Sequence, residues 1–368
     1  MTTILLVVGI LVFLIIVHEL GHFAVAKFFK VKVEEFGVGY PPRALLLGTW
    51  GGTKYTLNWL PFGGFVRLYG EQGEGETRPG RTSGKFTDAP RFAQALILVA
   101  GVAMNALAAW FLFTGALMMG VPQVVEPHLA GENARLIVSQ VLPSSPAAGA
   151  GLIAGDEIIG LRDVESGAEA ALTPDSVTAF VSERGGRQIE LTYERGGRSA
   201  VAYVYPAHSV VQSAAERPAI GVGLVIMEHT PLPFAQALRE AGGRTIYAFE
   251  LVGRGLSEIG RGIVGGNRNV LDEVVGPVGL VGIVGDASKH GIGSILSLAA
   301  FISVNLVIIN LLPIPALDGG RLVLLGVESA MRRSAPRTVA QLLNALGVAF
   351  IIVLMVTVTY QDIARLLS

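Results

Sequence analysis

The sequence predicts a polytopic α-helical membrane protein with about four transmembrane helices, a small membrane-associated β-sheet and an inserted extracytoplasmic α+β domain. Three observations carry that prediction. Apolar residues make up 51% of the 368-residue chain and charged residues only 15%, where a soluble globular chain carries about 25% charge. Long uncharged runs recur near both ends, whereas the middle of the chain alternates apolar and polar residues at strand spacing. Finally, the first apolar run, Ile4 to Val17, has no polar side chain and ends in His18-Glu19-Leu20-Gly21-His22.

Residues 1–30 read as the first transmembrane helix. Positions four apart share a helix face, so His18 and His22 can offer imidazole nitrogens to one metal ion. Glu19 follows His18 directly, a spacing that lets a carboxylate act on water at the metal without ligating it. HExxH alone is short enough to arise by chance in soluble helices. Membrane depth sharpens it, because ionisable residues there are costly and mark function. A snorkelling helix end, or a pair of packed histidines, would leave the glutamate between them unexplained. The helix ends among Lys27, Lys30 and Lys32, a basic flank that places this end toward the cytoplasm. The run lacks a basic n-region and a small-residue cleavage site, so it reads as an anchor and not as a signal peptide.

The totals exclude other classes. A net charge of −1 argues against a nucleic-acid partner. With no cysteine in the chain, disulfides and thiolate metal sites are ruled out.

Residues 31–91 read as a membrane-associated β-sheet region and a cytoplasmic loop. Val33 to Val38, Lys54 to Trp59 and Gly64 to Tyr69 have strand character. Turn signals at Pro41-Pro42, Gly51-Gly52 and Pro61-Phe62-Gly63-Gly64 separate them. Such a sheet serves either as a plain hairpin between helices or as an edge that pairs with an extended substrate. Glu71 to Lys85, rich in Gly, Glu and Arg, reads as a mobile loop. Residues 92–120 form the second transmembrane helix, uncharged from Phe92 to Met119. Asn105 inside it is expected to make an interhelical hydrogen bond.

Residues 126–210 change to the character of a water-soluble domain. Val138–Val141, Gly155–Leu161, Gln188–Tyr193 and Ser199–Tyr205 alternate as strands, and Thr173–Arg184 reads as a helix starting near Pro174 or Asp175. The run from Val141 to Ile159, with Ala150-Gly151-Leu152 and Gly155-Asp156-Glu157-Ile158, resembles the hallmark of bacterial PDZ domains. That resemblance implies capture of peptide or protein termini in a groove, or a filter over the membrane site that needs no affinity. Residues 211–290 read as an amphipathic connecting segment. Within it, Pro231 to Gly266 spaces Arg239, Arg244, Arg254 and Arg261 among apolar residues, as one helix or two short ones on the outer leaflet would, or as the solvated face of a helix packed on the membrane domain would. His128, His208, His229 and His290 read as ordinary surface residues.

Residues 291–320 form the third transmembrane helix, which carries Asn305, Asn310, Pro313, Pro315 and Asp318-Gly319-Gly320. Two prolines so close must break the helix, and freed backbone at bilayer depth is tolerated only against protein or a water-filled cavity. A catalytic zinc site needs three protein ligands and one open position. The first helix supplies two, and Asp318 is the best-placed third; it can also cap the helix resuming at Arg321. Residues 321–337 read as a cytoplasmic loop whose Arg332, Arg333 and Arg337 match the basic flank of the first helix. Residues 338–361 form the fourth transmembrane helix.

HExxH in a first span, a PDZ-like insert, and Asn-x-x-Pro-x-Pro-x-Leu-Asp-Gly in a third span together resemble the site-2 protease family, in its bacterial RseP-type branch. The resemblance covers essentially the whole chain. It implies one Zn2+ ion held by His18, His22 and Asp318, with Glu19 as general base. It also implies that Asn305 and Asn310 hold substrate backbone or the developing oxyanion, and that Gly63, Gly64 and Phe65 belong to a substrate-engaging β region. The implied substrates are single-pass membrane proteins already trimmed on the outer side, such as anti-sigma factors, or remnant signal peptides. The implied setting is the bacterial inner membrane, with the lipid bilayer around the spans and the metal site near its cytoplasmic side. Enterobacterial members carry two tandem PDZ domains, whereas one such motif is found here. Two rivals remain: a membrane-tethered PDZ scaffold without proteolysis, which the presence of Glu19 and Asp318 disfavours, and a metal or proton transporter, which would show repeated membrane halves.

Overall fold

The computed structural model describes residues 2–70, 84–125, 131, 134–208, 210, 217–228, 230–266, 274–333 and 335–367. The loop expected at Glu71–Lys85, and His128 and His229, lie wholly or largely outside them. In chain order come α1 (Thr2–Phe28), β1 (Val33–Trp50), β2 (Thr53–Leu68), α2 (Arg91–Met119), β3 (Gln123–Val125) and β4 (Arg135–Val141). Then follow α3 (Pro146–Gly149), β5 (Glu157–Asp163), α4 (Pro174–Ser182), β6 (Ile189–Arg195), β7 (Arg198–Val204) and β8 (Val222–Glu228). The chain closes with α5 (Phe234–Val264), α6 (Pro277–Lys289), α7 (Ile292–Leu311), α8 (Asp318–Met331) and α9 (Arg337–Leu367). Two compact units result, Met1–Met118 with Pro233–Ser368, and Met119–Leu232.

In the first unit, four helices are long and apolar enough to cross a membrane: α1, α2, α7 and, from Thr338 to Arg365, α9. Their apolar side chains are only partly spent on internal packing. On α9, Leu342, Leu346, Phe350, Val353 and Val356 all remain exposed, as a helix bathed in hydrocarbon requires. Val7, Ile10, Leu14, Val284 and Ala299 form one packed cluster among α1, α6 and α7.

β1 and β2 form one antiparallel hairpin and not three short pieces. Of the three expected turns only Gly51-Gly52 is a turn. Pro41-Pro42 falls where the ladder skips from Tyr40↔Leu60 to Arg43↔Asn58, and Pro61 follows the Leu60 pairing. A two-stranded sheet consists of edges, and irregular edges tolerate residues without an N–H. Inside the hairpin the buried Glu35 carboxylate accepts from Thr56 Oγ1 at 2.9 Å and pairs with Arg43 and Arg67.

The region expected as a loop at 321–337 is mostly helix α8. Leu322 and Leu325 turn toward a cluster containing Val33, Leu68 and Ile97, and Arg91 pairs with Glu328 at 2.9 Å. The basic residues taken as loop signals begin at Arg332, whose left-handed backbone (φ 52°) ends the helix. The connecting segment 211–290 differs from expectation in two elements, β8, which belongs to the sheet of the second unit, and the separate helix α6 with Pro277 in its first turn; the helix expected within Pro231 to Gly266 is present as the single long α5. The buried carboxylate of Asp362 accepts from the amides of Gly276 and Gly279 at 3.2 and 2.8 Å, tying the start of α6 to α9.

The second unit is a six-stranded sheet in the order β3-β8-β4-β5-β6-β7. Its core holds Val138, Ile158, Leu161, Val177, Ile189, Leu191 and Val204, the inward positions of alternating strands and of one face of α4. The domain therefore extends past the expected boundary at residue 210, because β8 pairs with both β3 and β4. The Gly-Asp-Glu-Ile motif has a structural role. The Asp156 carboxylate, fully buried, accepts from Ile153 N at 2.9 Å and from Arg195 at 2.6 and 2.8 Å, fixing the entry into β5. Asp156→Ala leaves those donors without their acceptor. The expected outcome is a loss of about 2–4 kcal/mol from this unit, the usual cost of removing a buried charged acceptor, seen as an earlier thermal transition of the β-rich signal.

Candidate metal centre and its cavity

The apolar α1 carries His18 and His22 one turn apart, and the break after α7 brings Asp318 back to them. Leu311 ends α7, Pro313 and Pro315 prevent its continuation, and α8 starts at Asp318. The cap position falls on Leu317, not Asp318, and the Asp318 carboxylate is turned to the histidines. His18 Nε2 lies 3.0 Å from Asp318 Oδ2, His22 Nε2 lies 3.3 Å from the same oxygen, and the two Nε2 atoms are 3.1 Å apart. Among the described residues this is the one group of His, Asp or Glu positioned to share a metal ion. Nitrogen ligands sit about 2.0–2.1 Å from zinc, so two tetrahedral ligands lie about 3.3 Å apart. The observed spacings fit.

These atoms open into a cavity of about 440 Å³. Glu19 lines it beside the two histidines, as do Asn310 from α7 and Arg321 from α8. Gly63 to Leu68 of β2 form another wall. The strand passes close to α1: a Cβ on Gly64 would sit 3.0 Å from Glu19 Cγ. Phe65 to Leu68 pair with β1 along one edge, and β2 has no other strand partner among the described residues.

The structure thus brings His18, Glu19, His22, Asp318, Asn310, Gly63, Gly64 and Phe65 to one cavity. Asn305 is placed differently. Its amide donates to Phe301 O at 2.9 Å, one turn back on its own helix, and it does not line the cavity.

Among the lining residues not singled out from the sequence as part of the site are Asn105, Arg321 and Tyr40. Asn105, fully buried, has its amide 3.3 Å from His18 Nδ1. Arg321 was visible as the residue after Asp318-Gly319-Gly320, but nothing in its spacing separated it from the basic loop expected there. Tyr40 reaches the cavity from β1; partial withdrawal of its hydroxyl from water, reinforced by Glu19, pushes its phenol above the ordinary tyrosine range. In the same hairpin, burial works to raise the Glu35 carboxyl, but hydrogen bonds from Thr56 and Arg43 outweigh it and hold the group below the usual carboxylate range.

Known proteins resemble the chain along nearly its full length. A Clostridium perfringens protein named as a zinc metalloprotease is 32% identical over 350 residues, covering 95% of each chain. One from Rickettsia conorii, named likewise, is 28% identical and spans 99% of this chain and 98% of its own. Another from Agrobacterium fabrum is 26% identical, over 99% and 95%. Among solved structures, the PDZ domain of an SdrC-like protein from Listeria monocytogenes covers 26% of this chain and 90% of its own, at 21% identity and a TM-score of 0.21. The family model for peptidase family M50 matches residues 6–354. The chain belongs to peptidase family M50 and is a membrane-embedded, site-2-type zinc metalloprotease.

Proposed function

We propose that the protein hydrolyses peptide bonds within the transmembrane segments of single-pass membrane proteins, using one zinc ion held by His18, His22 and Asp318. The observation that carries this reading is the convergence of three ligand atoms within 3.3 Å of one another at the floor of a cavity that Glu19 and an open strand edge share. The donor set also suits the metal, since two imidazoles and a carboxylate are ordinary zinc ligands. Gly101 supports it further. A Cβ at that position on α2 would press on His22 Nε2 and lie 2.8 Å from His18 Cε1, so the absence of a side chain keeps this side of the ligand cluster clear.

Zinc supplies a Lewis acid that polarises the scissile carbonyl and eases deprotonation of water. The chain's own residues supply the rest. Glu19 takes the proton from the attacking water and returns it to the leaving amine. The Asn310 side chain, at the cavity wall, stabilises the oxyanion. A helical substrate hides its peptide bonds, so it must unwind before attack; the edge of Gly64–Leu68 holds the unwound segment extended by strand addition. The outer half of the hairpin, with Leu45, Leu46, Leu47, Trp50, Trp59 and Leu60 exposed, supports contact with the bilayer in which such substrates reside. In this reading the second unit is an extracytoplasmic PDZ domain that filters or tethers substrates, the metal centre lies near the cytoplasmic face of a bacterial inner membrane, and anti-sigma-like proteins or remnant signal peptides are the substrates.

Glu19→Gln should retain zinc and lose about 10²–10⁴-fold in cleavage of a model single-pass substrate. Side-by-side assays of purified protein, with metal quantified in each, check this; a Gln variant as active as the parent sinks the assignment. Gly101→Ala should lose zinc and activity together while remaining helical and monodisperse, because the new methyl group occupies space beside the ligand atoms. Metal analysis of the purified variant decides it.

A further inference from the structure

We infer that Asn105 is a positioning residue for the metal centre: its side-chain carbonyl is the outer acceptor that fixes His18 in the tautomer able to present Nε2 to the ion. The inference rests on the zinc reading above. His22 shows what such a contact does. Its Nδ1 lies 2.7 Å from the Ile97 carbonyl of α2. A carbonyl only accepts, so Nδ1 carries the hydrogen and Nε2 keeps its lone pair toward the cluster.

His18 lies one turn earlier and meets α2 at Asn105, whose terminal amide is 3.3 Å from His18 Nδ1. Asn105 is 0% exposed, and its Oδ1 is buried without a hydrogen-bond partner. Buried polar atoms are almost always paired, so an orphaned one calls for a reason. The two ends of an asparagine amide have nearly the same shape, and only their partners distinguish them. Turning the amide over places Oδ1 against His18 Nδ1, where it accepts from Nδ1–H. His18 then repeats the arrangement of His22, with both Nε2 lone pairs directed at the position shared with Asp318. With the amide the other way, Asn105 donates to Nδ1, and Nε2 must carry the hydrogen it gives to Asp318 Oδ2 at 3.0 Å. That orientation suits an empty cluster and not a ligated one.

The sequence expectation for Asn105, an interhelical hydrogen bond, thus holds with a particular partner. Its link to α7 comes from the backbone, where Ser303 Oγ donates to the Asn105 carbonyl at 2.8 Å. The side chain is left for the histidine. Outer contacts of this kind orient metal-binding histidines and commonly change metal affinity about 10–100-fold when removed.

The test uses the full-length protein in detergent, stripped of metal and titrated with Zn2+ against a chromophoric chelator. Wild type, Asn105→Leu, Asn105→Ala and Asn105→Asp are compared, and thermal unfolding of each metal-free protein is recorded in parallel. The expected result is a roughly 10–100-fold weaker affinity in the Leu and Ala variants. The Leu variant's metal-free unfolding temperature should not fall, since it buries no polar atom. Asn105→Asp, which keeps an acceptor against Nδ1–H, should recover affinity to within a few-fold of wild type. If wild type binds zinc and the Leu and Ala variants bind it equally well, the inference fails while the zinc reading stands. If Asn105→Asp binds as weakly as Asn105→Leu, the acceptor role fails. If wild type binds no zinc, the metal-centre reading falls and this inference falls with it.

Discussion

The interaction on which the rest depends is the contact of one carboxylate with two imidazoles across 300 residues of chain. His18 and His22 come with the first helix and need nothing more than its pitch. Asp318 arrives only because α7 is interrupted. Pro313 and Pro315 forbid the helix, the chain turns over six residues, and α8 begins with the aspartate pointing back. Such a break is costly in apolar surroundings unless the freed backbone faces protein or water. Here it lies at the cavity wall, through Ala316 and Leu317. The same event therefore creates the third proposed ligand and the opening through which water and substrate can reach it.

The remaining elements read as supports for that contact. Helix α2 crosses α1 near Gly21 and Gly101 and offers Ile97 O to one histidine and the Asn105 amide to the other. At its N-terminal end Arg91 holds Glu328 of α8, so the helix that braces the histidines also anchors the helix that carries the aspartate. The hairpin closes the remaining side, with Gly64 thin enough to lie against Glu19. No single element makes the site; it forms where α1, α2, α8 and β2 meet.

Much of this was legible in the sequence, for reasons that differ by residue. The four long helices announce themselves because hydrocarbon demands unbroken apolar runs. HExxH and the Pro-x-Pro-x-Leu-Asp run were readable because their chemistry depends on short, fixed spacings. The hairpin was misread as three strands, since Pro41-Pro42 and Pro61 carry the composition of turns, and it is the lack of an outer strand partner among the described residues that lets them stay within strands. Helix α8 was foreseen only as a helix resuming at Arg321, and its length was given over to a loop, because its stabilising partners, Arg91 and the Leu98 cluster, are distant in sequence. β8 was missed for the same reason: it joins β4 from 81–92 residues away and β3 from 101–105, and nothing local distinguishes it from the connecting segment.

Asn105 shows where a sequence reading stops and why. Within α2 it is one amide in an uncharged run, and any neighbouring helix could take its hydrogen bond. The pairing becomes specific only after α1 is packed against α2 with both histidines facing inward. At that point the two imidazoles present the same demand, an acceptor at Nδ1, and α2 meets it once with backbone and once with side chain. A backbone carbonyl leaves no trace in composition, whereas the second acceptor must be written as a residue type. A polar residue buried in a span is therefore better interpreted by asking which ring or carboxylate it faces than by asking which helix it joins.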